Sequence, residues 1–210
     1  MKTPVKLMCL LFAVASHGMA QMLLVSSPGT GFTTGYPGPY NLGYEFKVGS
    51  SPVTVSGLGF YDFGNPGLSD AHQVGLWTDS GDLLASVTIP EGTHALVQGF
   101  AFEPIGLPVQ LSPNTNYVVS AYWPSSADTV YADFFGGAVP EFFGASLVGS
   151  RNTIMGTSST FEFPSNSGGD NGFAWIGANI QFSSVPEPST LVTALSGVFG
   201  LIVFAKRRKG

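Results

Sequence analysis

The chain has 210 residues and a formal net charge of −5, with only 10% charged side chains against about 25% in an average soluble domain. Its 28 glycines and 15 prolines exclude a coiled coil or helical bundle and favour short strands joined by turns. A net negative chain also lacks the Lys/Arg surface that phosphate backbones require, so nucleic acid is excluded as a partner.

The first twenty residues carry Lys2 and Lys6, an apolar run from Leu7 to Ala15, and the small-residue end Ser16-His17-Gly18-Met19-Ala20. This is the pattern of a secretory signal peptide (1–20) cut between Ala20 and Gln21. Nine apolar residues rise only about 14 Å as a helix, far short of a bilayer core of about 30 Å. Cys9, the one cysteine, lies within that run, so an exported chain has no disulfide, thiolate nucleophile or Cys ligand.

Between Gln21 and Val185 the periodicity is that of strands. Val53 and Val55 alternate with polar residues, and Gly57 then shifts the apolar set to Leu58 and Phe60, as a β-bulge does. Residues 72–78 form a strand that turns through Asp79-Ser80-Gly81-Asp82 into a second strand over 83–89. Two further strands are expected over 96–103 and 107–111. After the turn Pro113-Asn114-Thr115-Asn116, residues 117–123 are apolar on both faces and predict a central strand. Tyr117 stands where a tyrosine hydroxyl caps the backbone just upstream in many β-sandwiches, or simply opens a half-buried strand after a turn. The pattern loosens from Pro124 to Gly172, and a last strand is expected over 173–182. The fold class is therefore all-β: an antiparallel two-sheet sandwich, jelly-roll or fibronectin-like, over 21–184.

Val185-Pro186-Glu187-Pro188-Ser189-Thr190 follows, then an uncharged stretch over 191–205 and the basic end Lys206-Arg207-Arg208-Lys209. A terminal apolar helix closed by four cations inserts with those charges on the cytoplasmic side and holds the preceding domain outside. Fifteen residues rise about 22 Å, which suits a temporary membrane anchor. Residues 185–210 resemble the tripartite tail of bacterial PEP-CTERM proteins, with Pro186, Glu187 and Pro188 as the motif and Val185, Ser189 and Thr190 as its flanks. The resemblance implies export, recognition by a membrane-embedded exosortase-type processing enzyme, removal of the tail, and release to the cell surface or extracellular matrix. The stretch from Gly43 to Trp123, through Gly43-Tyr44-Glu45-Phe46, Leu58 to Asp62, His72 to Trp77, Gly81 to Ala85 and Leu111 to Val118, resembles an uncharacterised domain of bacterial exported proteins bearing that tail. It implies no established activity.

Few residues offer chemistry. His72 and His94 are the histidines outside the signal peptide, no Gly-x-Ser-x-Gly elbow is present, and the ligand spacings of a zinc site are missing. Asp62, Asp70, Asp79, Asp82, Glu103, Asp133 and Glu141 are possible carboxylates for glycoside chemistry, without a pattern that selects two of them. Asp62, Asn65 and Asp70 place three oxygen-bearing side chains within nine residues, a candidate calcium loop without the EF-hand spacing. Tyr36, Tyr40, Tyr131, Phe134, Phe135, Phe142 and Phe143 lie in Gly/Pro-rich segments and are candidates for stacking on polysaccharide. The expected role is structural or adhesive and non-catalytic, with a carbohydrate-binding module for exopolysaccharide, aided by calcium, as the alternative and a glycan-acting enzyme third. Lys47 and Arg151 stand against twelve acidic residues between Gln21 and Val185. That span carries −10, which disfavours anionic lipids or polysaccharides as partners unless a cation bridges them.

Overall fold

A computed structural model describes residues 22–27, 32–34, 38–132, 141–153, 158–168 and 174–184. The expected signal peptide with Ala20 and Gln21, the expected sorting motif over 185–190, the 191–205 stretch and the basic end lie outside them. Among the described residues no helix is long and apolar enough to cross a membrane.

Among the described residues fourteen strands follow in chain order: β1 Met22–Leu23, β2 Val25–Ser27, β3 Phe32–Thr34, β4 Tyr40–Val48, β5 Val53–Tyr61, β6 His72–Thr78 and β7 Leu83–Ile89. After them come β8 Phe100–Leu111, β9 Asn116–Trp123, β10 Val130–Ala132, β11 Glu141–Phe142, β12 Ala145–Asn152, β13 Asn166–Ser167 and β14 Ala178–Ser184. One sheet has the order β1-β14-β5-β8 and the other β13-β12-β4-β9-β6-β7, with small ladders β10-β3 and β11-β2 beside them. Every ladder is antiparallel. The all-β, two-sheet expectation is met. Inward side chains of both sheets, among them Tyr44, Phe46, Leu58, Phe60, Leu76, Val119, Trp123 and Ile180, form one buried core.

Several local readings hold. The register of β5 slips between Val55 and Gly57 against β8, and the β14 register slips opposite the same two residues, so Ser56 is the extra residue of the expected bulge. The β6–β7 hairpin closes through Thr78 N–H to Asp82 O at 2.9 Å and Gly81 N–H to Thr78 O at 3.1 Å. β9 lies between β4 and β6 as a central strand, and the Tyr117 hydroxyl accepts from the Ser112 N–H at 3.0 Å.

Three readings are corrected. Residues 100–111 are one strand rather than two. β8 is an edge strand, so Pro104 and Pro108 can lie within it, because a proline there needs no outer partner. Its ladder skips from Pro104 to Val109 opposite Ser56, leaving Leu107 83% exposed. The last strand begins at Ala178 rather than residue 173 and runs to Ser184, whose partner is Val53. Finally, β4 crosses the centre of the larger sheet where no strand was expected. Gly43 permits this, because a Cβ there would stand 2.0 Å from the Val119 carbonyl. Gly177 serves the core similarly, lying under the Trp123 ring.

The strand directions define two poles. Met22 pairs with Phe182 and Ser184 with Val53, so the chain enters and leaves at one pole. β5 runs from there to Tyr61 at the other, nine residues or about 26 Å away.

Candidate functional site

The far pole carries the loop 62–70 between β5 and β6 and the loop 124–129 after β9. Asp62 is 3% exposed and its Oδ2 accepts from the Gly67 N–H at 3.1 Å. Asn65 adopts φ 62° and donates its N–H to the Asp62 carbonyl at 3.2 Å, a conformation that asparagine tolerates better than most residues. Asp70 Oδ2 accepts from the Ser125 hydroxyl, whose oxygen in turn accepts from the Ala127 N–H at 3.0 Å. The carboxylates of Asp62 and Asp70 are thus engaged by the protein's own groups, and Asn65 is held through its backbone. Among the described residues no group of three or more His, Cys, Asp or Glu side chains converges as a metal site would require.

The centre of this pole is Asp128, which sequence reasoning did not single out. Its Oδ1 accepts from Ser69 N–H at 2.8 Å, and its Oδ2 from Asp70 N–H and His72 Nε2, each at 2.8 Å. Burial pushes the carboxyl up, but the His72 hydrogen bond, the Ser69 and Asp70 N–H groups and the His72 charge outweigh it and hold Asp128 down at about 2. Nδ1 of His72 stands 3.0 Å from the Tyr122 carbonyl. A carbonyl and an ionised carboxylate can only accept, so each ring nitrogen faces an acceptor of the protein's own. His72 is fully buried and stacks on Phe60, with centroids 3.7 Å apart and planes 7° from parallel, while Trp123 meets it edge-on at 5.8 Å.

This geometry has a chemical consequence. A general base needs a free ring nitrogen within reach of a substrate proton, and His72 offers none. It is a cross-link that ties the start of β6 to the end of β9 and, through Asp128, to the loop 62–70. His94, the other histidine considered for a hydrolase, has Nε2 on the Pro90 carbonyl at 2.8 Å. The signal for Asp128 was a Ser-Ser-Ala-Asp turn placed directly after the central strand, where polar side chains commonly bind nearby backbone.

Outside the cross-link, a recess of about 70 Å³ is lined by Asp62, Phe63, Ser69, Asp128 and Thr129, among others. It is far below the roughly 300 Å³ of a small-molecule site. Phe63 stands at its rim, 42% exposed and edge-on to Tyr61 at 6.3 Å.

The other candidate residues are dispersed. Asp79 pairs with Arg151 at 2.7 Å, and Arg151 also holds the buried Glu45 of β4 through Nε at 3.0 Å and Nη2 at 2.5 Å. Asp82 closes the hairpin turn with Ser80, and Glu103 sits in β8. Tyr40 is buried against Trp123, which corrects its reading as an exposed stacking residue. Phe143 is exposed at the near pole. Tyr131 and Phe142 fall in β10 and β11 and Glu141 in β11; Tyr36, Asp133, Phe134 and Phe135 lie outside the described residues.

Residues 26–175 match the model of a family described as a domain of unknown function (DUF4082). Residues 184–209 match the PEP-CTERM protein-sorting motif. No curated protein matches the chain.

Proposed function

Because the chain belongs to the DUF4082 family and ends in a PEP-CTERM sorting motif, we propose that it is an exported sandwich with a structural or adhesive, non-catalytic role at the bacterial surface or in its matrix. It is held at the inner membrane by the uncharged 191–205 stretch, then processed near Pro186-Glu187-Pro188 by an exosortase-type enzyme and released. The observation that carries this reading is the junction: the sorting motif begins at Ser184, the last residue of β14, so the address is joined directly to the sheet. Mass spectrometry of the protein recovered from its producing cell tests it. The expected mature species lacks the basic end, and Pro186→Ala with Pro188→Ala restores it; an intact tail on the surface-exposed wild-type protein sinks the processing step.

A second reading, carbohydrate binding, is favoured by Phe63 at the rim of the polar recess, where a sugar ring can stack while a hydroxyl reaches inward. The recess is too small to enclose a sugar, so binding would be at its lip. Phe63→Ala is expected to release the full-length protein from immobilised exopolysaccharide with its unfolding midpoint unchanged, and equal retention of both forms excludes this lip. Calcium assistance at Asp62, Asn65 and Asp70 is a separate proposal, read as a calcium-dependent rise in Tm that Asp62→Ala abolishes.

A further inference from the structure

The sheet edges of this fold are protected unequally. The outer side of β14 is covered by β1, by the Leu24 N–H on the Ile180 carbonyl at 3.0 Å, and by the Asn179 side chain, which bonds both backbone groups of Val25. β12 is covered by β13 and by the Gly168 N–H on the Ser150 carbonyl. β8 is broken by Pro104 and by the four residues from Ile105 to Pro108 that stand opposite the single Ser56. These are recognised ways of keeping an edge from pairing with another chain.

Among the described residues β7 has no covering strand in its own sheet, although β8 of the other sheet packs near it. A bulge at Leu84, between the partners of Leu76 and Trp77, disturbs only its start. From Ala85 to Ile89 the strand pairs with β6 on one side, contains no proline and no charge, and is, among the described residues, the last strand of its sheet. Among the described residues its backbone makes no hydrogen bond outside that ladder. Alternate N–H and C=O groups therefore point away from β6 over five residues.

The charges around this edge select its partner. Asp82 and Glu91 flank it, both exposed, in a span carrying twelve acidic and two basic residues. An antiparallel pairing of two copies centred between Ser86 and Val87 would set Asp82 of one opposite Glu91 of the other at both ends, bringing like charges together. We propose that β7 accepts an extended segment of another polypeptide as an added strand, a segment with an apolar or hydroxyl-bearing core of about five residues and Lys or Arg at its ends. Main-chain hydrogen bonds supply the attachment and the flanking carboxylates the selectivity.

The test uses the full 210-residue chain in a neutral detergent and two nine-residue probes of alternating Val and Thr, one with Lys at both ends and one with Glu. The basic probe is expected to bind, to slow amide hydrogen exchange over 85–89, and to weaken at least tenfold as salt rises from low to high concentration. Ser86→Lys with Thr88→Lys, at two exposed positions, is expected to weaken it at least tenfold while leaving the unfolding midpoint in place. Should that variant unfold, the exchange map of the wild-type chain still decides the location. Equal binding of the acidic probe, protection elsewhere than 85–89, or no binding overturns the proposal. So does a concentration-dependent dimer protected at β7 that ignores the basic probe, since it makes a second copy the occupant.

Discussion

Replacing Asp128 by Asn keeps the shape of the side chain and removes the charge at the centre of the far-pole cross-link. The carboxylate accepts from Ser69, Asp70 and His72, whereas an amide has one acceptor oxygen and an NH₂ that cannot serve the remaining donors. The wild-type carboxyl sits at about 2 against an ordinary 3.8. At about 1.36 kcal/mol per pKa unit that is at most about 2.5 kcal/mol, and solvent access reduces it to about 1–2 kcal/mol. A donor left unpaired adds about 1 kcal/mol. The expected loss near pH 7 is thus about 2–3 kcal/mol, a fall in Tm of roughly 4–12 °C for a domain of this size. The sign with pH follows from the depressed value. The folded state binds this proton less readily than the unfolded chain, so the contribution is complete above about pH 4 and is lost as pH falls through 2. Melting curves of both proteins at pH 7 and pH 2 therefore converge at the acid end. A Tm deficit that is the same at both pH values would refute the ionic account, and no deficit at pH 7 would refute the cross-link altogether.

Other substitutions address the frame that holds this pole. Gly43→Ala forces a methyl group against the backbone of β9, and is expected to cost about 3 kcal/mol or more, seen as loss of cooperative urea unfolding. Arg151→Ala strands the buried Glu45 and should cost about 3–5 kcal/mol, while Arg151→Met with Glu45→Leu recovers most of it in the same titration. Tyr117→Phe leaves the Ser112 N–H without its acceptor, with an expected loss of about 1 kcal/mol and faster amide exchange at Ser112.

The local pattern was legible wherever one strand met one turn. The β6–β7 hairpin, the Ser56 bulge and the Tyr117 contact each arise within a few residues, and side-chain alternation or turn chemistry reports them directly. What depended on sheet position was not. β4 alternates, with Asn41, Gly43 and Glu45 set between Tyr40, Leu42, Tyr44 and Phe46, the pattern of a strand with one polar face, yet it is central and buried on both faces, because Asn41 donates through Nδ2 to Ser158 Oγ at 2.8 Å and Glu45 meets Arg151 and Asn116. Those partners lie about 70 to 120 positions away in sequence. The prolines of β8 have opposite meanings in a central strand and at an edge, and only the assembled sheet tells which applies. The far-pole site was half visible. The loop 62–70 was marked by its acids, but Asp128 acts through residues 56 to 59 positions distant, a separation at which no spacing rule operates.

The placement of Met22 and Ser184 at one pole also governs how the molecule carries load. A pull between Ser184 and something gripping the far pole is directed along β14, parallel to its strands and perpendicular to their hydrogen bonds. The seven paired positions that join β14 to β5 are then strained together, in shear, and none yields before its neighbours. A pull between Met22 and Ser184 acts differently, prising the two-residue β1 from β14 one pair at a time. The same sandwich is stiff when tethered by its tail and loaded from outside, and weak when its two ends are drawn apart.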